Sequence, residues 1–144
     1  MTQEDKELLL KDLSARLPYG VKTYVKNWSN FKTYEDVYEV KSTFPSLNEV
    51  HVQSETGSLD VLIGYYDYEF KPYLFPLSSM TDEQKKELSD EMCYFTHSQI
   101  EGRDPNGIMK GTIFEIDFYN KNHFDYRGLI EKRLALDATG LNIY

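Results

Sequence analysis

The sequence predicts a single α+β domain, residues 1–144, made of an N-terminal helix, an antiparallel β-meander of about four or five strands and two C-terminal helical elements. Three observations predict it. A leucine stripe at helical spacing opens the chain, residues 21–66 divide into short β-branched and aromatic pieces between turn residues, and helix-start patterns recur at Thr81 and Thr112. A length of 144 residues suits one domain with a proper core, and the apolar content is that of a folded chain.

Thr2-x-x-Asp5 caps the first helix, whose Leu9, Leu10, Leu13 and Leu17 fall on one stripe. Lys6, Glu7, Lys11 and Asp12 occupy the other, solvated side, and Pro18-Tyr19-Gly20 ends the element. Val21 to Lys26 reads as a strand, Asn27-Trp28-Ser29-Asn30 as a turn and Tyr34 to Val40 as a second strand. After the break at Pro45-Ser46, Val50 to Gln53 alternates, Glu55-Thr56-Gly57-Ser58 turns and Leu59 to Tyr66 returns. Val50, Val52, Val61 and Ile63 should face the helices.

The prolines of Lys71-Pro72-Tyr73-Leu74-Phe75-Pro76-Leu77 hold that segment extended, and its apolar character sends it across the core. Thr81 and Gln84 form a capping box for a helix that buries Leu88, Met92 and Phe95. Ser98 to Gly111 reads as a long loop and a candidate binding edge. Thr112-x-x-Glu115 fits a second box, starting a helix that runs to about Asn122. The alternation from Phe114 to Phe118 also fits a strand, but Asn120-Lys121-Asn122 continues a strand poorly. Leu129, Ile130, Leu134 and Leu136 provide an apolar closing path, and Leu141-Asn142-Ile143-Tyr144 is apolar enough to dock on the core.

The formal charge of −8 disfavours general nucleic-acid or anionic-membrane binding, which depends on clustered Lys and Arg. A small basic excess remains between Lys121 and Arg133. The lone Cys93 forms no internal disulfide, no apolar run approaches the ~20 residues of a membrane span, and the acidic amphipathic N-terminus is unlike a secretory signal. A cytoplasmic location is the expectation.

Tyr65-Tyr66-Asp67-Tyr68-Glu69-Phe70 is the richest aromatic cluster. Its acidic neighbours disfavour base stacking and leave sheet packing or a protein interface. Tyr65, Tyr66, Tyr68, Tyr126 and Arg127 are therefore the candidate interaction residues. Cys93 and His97 stand four apart, as a Cys–His pair or two zinc ligands would. With only His51 and His123 besides and no second cysteine, the expectation is no metal, and a partly buried thiol beside a surface imidazole. His123-x-Asp125 with Arg127 suits a general base beside an anion clamp. The competing structural reading has His123 closing a helix, Asp125 capping a turn and Arg127 in an ion pair. GxGxxG, P-loop, HExxH and CxxC patterns are absent, and no cofactor is expected.

Three blocks, 7–21 (Glu-Leu-Leu-Leu-Lys-Asp-Leu-Ser-Ala-Arg-Leu-Pro-Tyr-Gly-Val), 71–81 (Lys-Pro-Tyr-Leu-Phe-Pro-Leu-Ser-Ser-Met-Thr) and 123–130 (His-Phe-Asp-Tyr-Arg-Gly-Leu-Ile), resemble an uncharacterised family of small bacterial and phage-associated proteins. The blocks lie at both ends and in the middle, whereas Val21 to Phe70 and Cys93 to Gly111 match poorly. The resemblance implies a helix over Thr112 to Asn122 and an intracellular, mobile-element setting. It implies no activity, cofactor or catalytic residue.

The expected function is that of a non-enzymatic binding or accessory protein acting on an unknown protein partner. The alternatives are a small enzyme or small-molecule binder with a His123/Asp125/Arg127 pocket, and an acidic mimic of nucleic acid.

Overall fold

The computed structural model describes residues 1–28 and 34–144, so the expected turn at Asn27-Trp28-Ser29-Asn30 lies partly outside the described residues. Helix α1 (Gln3–Arg16) begins at the predicted cap, which proves a reciprocal box: the Thr2 hydroxyl accepts the Asp5 amide and the Asp5 carboxylate accepts the Thr2 amide. Leu9, Leu10 and Leu13 are buried, and a 3-10 turn at Leu17–Tyr19 ends in left-handed Gly20. Asp12 corrects the expectation of a solvated face. It is fully buried, as is Arg16 one turn on.

Among the described residues six strands follow: β1 (Lys22–Asn27), β2 (Tyr34–Phe44), β3 (Glu49–Ser54), β4 (Gly57–Leu62), β5 (Tyr68–Leu74) and β6 (Leu136–Asp137). They form one sheet in the order β4-β3-β2-β1-β5-β6. β1 to β4 are the antiparallel meander the alternation predicts, but the sheet is mixed and has six strands among the described residues. β5 returns beside β1 rather than β4, and β6 runs parallel to β5. Pro72 has no N–H, so its nitrogen must turn away from β1, and on that outer side β6 pairs only with Tyr73 and Leu74.

Between Val40 and Ser42 the β2–β3 register shifts, leaving Lys41 as a bulge. The extra residue keeps both Val40 and Thr43 on the α1 side. Val40 is buried there and the Thr43 hydroxyl meets the Ser14 hydroxyl of α1 at 2.8 Å. Val50, Val52, Val61 and Ile63 line the same face, as expected, and are buried. Their cover is α1 together with Leu129, Leu134 and Ala135 of the C-terminal coil, not the later helices.

Those later helices form a hairpin: α2 (Asp82–Ile100), started by the predicted Thr81–Gln84 box, and α3 (Gly107–Lys121). α2 packs principally against α3. Leu88, Met92 and Phe95 are accordingly only half-buried, and Cys93, expected to be partly buried, is exposed like His97. The expected loop from Ser98 to Gly111 shrinks to residues 101–106, and Thr112 lies inside α3, donating its hydroxyl to the Ile108 carbonyl. α3 starts without a side-chain cap of its own, because Gln99 of α2 accepts the Ile108 amide at 2.9 Å.

Gly107 and Gly111 resemble breakers in the sequence but serve close helix approach. A Cβ on Gly107 would collide with the Phe95 backbone carbonyl, and one on Gly111 would lie 3.3 Å from the Phe95 Cβ. Gly107→Ala should therefore destabilise the hairpin by about 1–3 kcal/mol through overpacking, although alanine is the better helix former by about 1 kcal/mol. Hydrogen exchange would read this as lost protection in α2 and α3 with the sheet unchanged. Unaltered α2 protection would refute the close-approach argument.

Candidate interaction site

The loaded stretch after α3 is placed by β5. Phe75 donates its amide to the His123 carbonyl, and its carbonyl accepts the Asp125 amide, both at 2.8 Å. This short parallel bridge carries Phe124 into the core and turns the following residues over α1. The Asp125 carboxylate accepts the Leu129 and Ile130 amides, each at 2.8 Å, and thereby folds the next turn. The structural reading of Asp125 as a turn cap matches this geometry.

Beneath the turn, Arg16 grips Asp12 with two parallel bonds of 2.7 and 3.0 Å and donates to the Phe124 carbonyl at 2.7 Å. Arg127 approaches Oδ1 of Asp12, which also accepts from Arg16, at 3.4 Å, an ion pair without hydrogen-bond alignment. Both guanidiniums lie within cation–π range of Tyr126, 5.4 Å for Arg16 and 4.9 Å for Arg127. The Tyr126 hydroxyl donates to Asn120, and its ring stacks on Tyr119. Tyr126 and Arg127, candidates for interaction, are thus engaged in holding the coil to α1.

His123 adopts a left-handed backbone (φ 60°) and lays its ring flat on Tyr144 at 3.7 Å. The Tyr144 hydroxyl accepts the Lys22 amide and donates to the Tyr73 carbonyl, so the chain docks here through Tyr144, whereas Leu141, expected to dock with it, is exposed. Burial, with smaller contributions from Arg16 and Lys22, pushes the His123 imidazole down to about 4. In the unfolded chain the ring titrates near 6.5, so only that state gains a proton in between. The stabilisation is present in full above pH 6.5 and falls as pH drops toward 4. His123→Asn, which suits the left-handed backbone, should lose less stability than wild type between pH 7 and 5 in urea titrations; equal losses would exclude the burial argument.

His123, Asp125 and Arg127 therefore do not combine into one constellation. No hydrogen bond joins them among the described residues, and each answers to a different partner: Tyr144, two backbone amides and Asp12. The sheet's open face carries a polar hollow of about 650 Å³ bordered by the Lys22–Glu39–Lys41 ion pairs. A second hollow of about 310 Å³ lies between Trp28, Tyr65 and Tyr68. Neither is lined by His123, Asp125 or Arg127. Tyr65 and Tyr66 are exposed on the β4–β5 connection, whereas Tyr68 packs partly against the core.

The largest feature missed in sequence is on α3. Its Gly107, Gly111, Phe114 and Phe118 face α2 and the domain, yet Met109, Ile113 and Ile116 on roughly the opposite side are 42–57% exposed, with exposed Ile108 on one flank. A helix apolar on two sides is one made to be covered on both. The i, i+4, i+7 row of Met109, Ile113 and Ile116 is readable, but assigning residues before Thr112 to a loop severs it.

No protein-family model, curated protein or solved structure matches the chain. Among the described residues no helix is long and apolar enough to cross a membrane, and no three His, Cys, Asp or Glu side chains gather as metal ligands would.

Proposed function

We propose that this is a non-catalytic binding or accessory protein, cytoplasmic and of mobile-element origin, that works through protein–protein contact on the outer face of α3. The observation that carries the reading is the exposed row Met109, Ile113 and Ile116, flanked by exposed Ile108, on a hairpin whose other face is already packed. Apolar rows of this kind are how helices dock on protein partners. The roles of Asp125 as a turn cap and Arg127 as a partner of Asp12 weigh against the enzyme alternative. Tyr65 and Tyr66 offer a smaller second surface.

The test is a photo-crosslinking amino acid placed at Ile113 in the full chain, in cells that naturally make the protein. Protein adducts should form at Ile113 and not from the same group at Glu55, an exposed residue of the β3–β4 turn. Equal or absent adducts at both positions would remove the reading.

A further inference from the structure

We infer that the occupant of the outer face of α3 is α3 of a second copy of this chain, lying antiparallel about a two-fold axis near Ile113. The inference rests on the reading of α3 as the contact surface and adds the partner. The apolar row straddles the middle of a 15-residue helix, so reversing the direction of a second α3 still sets apolar side chains against apolar side chains. Ile113, near the centre, would meet its own counterpart region, and Met109 would meet the turn that carries Ile116 of the copy.

Charge fits the same axis. Lys110 and Asp117 are exposed and, at seven residues apart, lie on one flank of the row two turns from each other. An in-plane two-fold perpendicular to the helices keeps each flank facing its equivalent, so Lys110 of one copy comes opposite Asp117 of the other, twice per dimer. This self-complementarity is what an isologous interface requires. Lys110 also meets Asp104 of its own chain at 2.6 Å, an exposed pair that holds it only weakly. Glu115 lies toward the opposite flank and is not needed for the pairing. A single helix–helix contact belongs to the small interfaces, under about 1,200 Å² in total, so the association should be micromolar rather than obligate.

Sedimentation velocity on the full chain across the micromolar range tests this. A monomer–dimer equilibrium is expected. Ile113→Glu should raise the dissociation constant by at least about 30-fold, with circular dichroism retained and Tm matching wild type at concentrations too low for dimer, because the residue is exposed on a folded hairpin. Lys110→Glu and Asp117→Lys should each weaken the dimer, and the two together in one chain should restore it, since the swapped charges would again meet their opposites across the axis. A monomer at every concentration, a dimer indifferent to Ile113→Glu, or a double variant no better than the singles would overturn the proposal. The Ile113 crosslink separates this failure from that of the function. Adducts with a different protein and none with a second copy would overturn self-pairing and leave the binding role standing, whereas absence of any adduct would end both.

Discussion

Replacing Asp12 with alanine should lower the unfolding free energy by about 3–5 kcal/mol, enough to remove much of the stability of a domain this size. Among the described residues, Asp12 is the sole carboxylate paired with two guanidiniums, those of Arg16 and Arg127, and neither it nor Arg16 reaches solvent. Its loss strands Arg16 as a buried cation whose remaining bond is to the Phe124 carbonyl. The effect should be a property of the stranded charge, not of a favourable pair. An Asp12→Leu/Arg16→Met chain should therefore recover a large part of the loss, since well-packed apolar groups often replace a buried pair at little cost. Urea titration of the three chains gives the answer, and an Asp12→Ala loss below about 1 kcal/mol would contradict burial of the network.

Asp125→Ala should cost about 2–4 kcal/mol, because it leaves two inward amides, Leu129 and Ile130, without acceptors. Asp125→Asn is the sharper test. Asparagine brings one acceptor oxygen to the first amide and points an NH2 group at the second, so it should be nearly as damaging as alanine despite its matching shape. A carboxylate kept for proton transfer would give the opposite pattern, with stability retained and activity lost. An Asp125→Asn chain as stable as wild type would revive the pocket reading of His123, Asp125 and Arg127.

Much of the fold is legible in the sequence wherever the determining contacts are local. The Thr2–Asp5 and Thr81–Gln84 boxes, the Pro18-Tyr19-Gly20 stop and the alternation through Val50 and Val52 each lie within a few residues of what they specify. Asp12 reads as solvated because its neighbours are charged and its partner Arg16, one turn away, resembles an ordinary surface i, i+4 pair. Its burial comes with contacts far along the chain, of Arg16 with the Phe124 carbonyl and of Asp12 itself with Arg127. β6 escapes notice because two residues carry no period, and α3 is shortened because its glycines resemble loop residues until Phe95 is seen against them.

The site is legible as a concentration of residue types and illegible in its roles. The contact of Arg16 with the Phe124 carbonyl spans 108 positions, and that of Tyr144 with the Lys22 amide spans 122. No spacing rule within residues 123–127 could assign them. The exposed apolar face of α3 is a different kind of omission, since every residue it needs is close in sequence and only a wrong helix start conceals it.

The sheet's two margins also bear on how chains of this protein can aggregate. β4, at one margin, is six residues long with Asp60 in its middle, tied to His51 at 2.7 Å; at the other, β6 covers only Tyr73 and Leu74 of β5, and the rest of that edge carries Glu69, Lys71 and Pro72. Short, charged edges are poor templates for adding a strand from a neighbouring molecule. Runaway backbone-to-backbone stacking into fibres is thus discouraged at both ends, and a crowded solution of these molecules should favour closed, finite assemblies over open-ended ones.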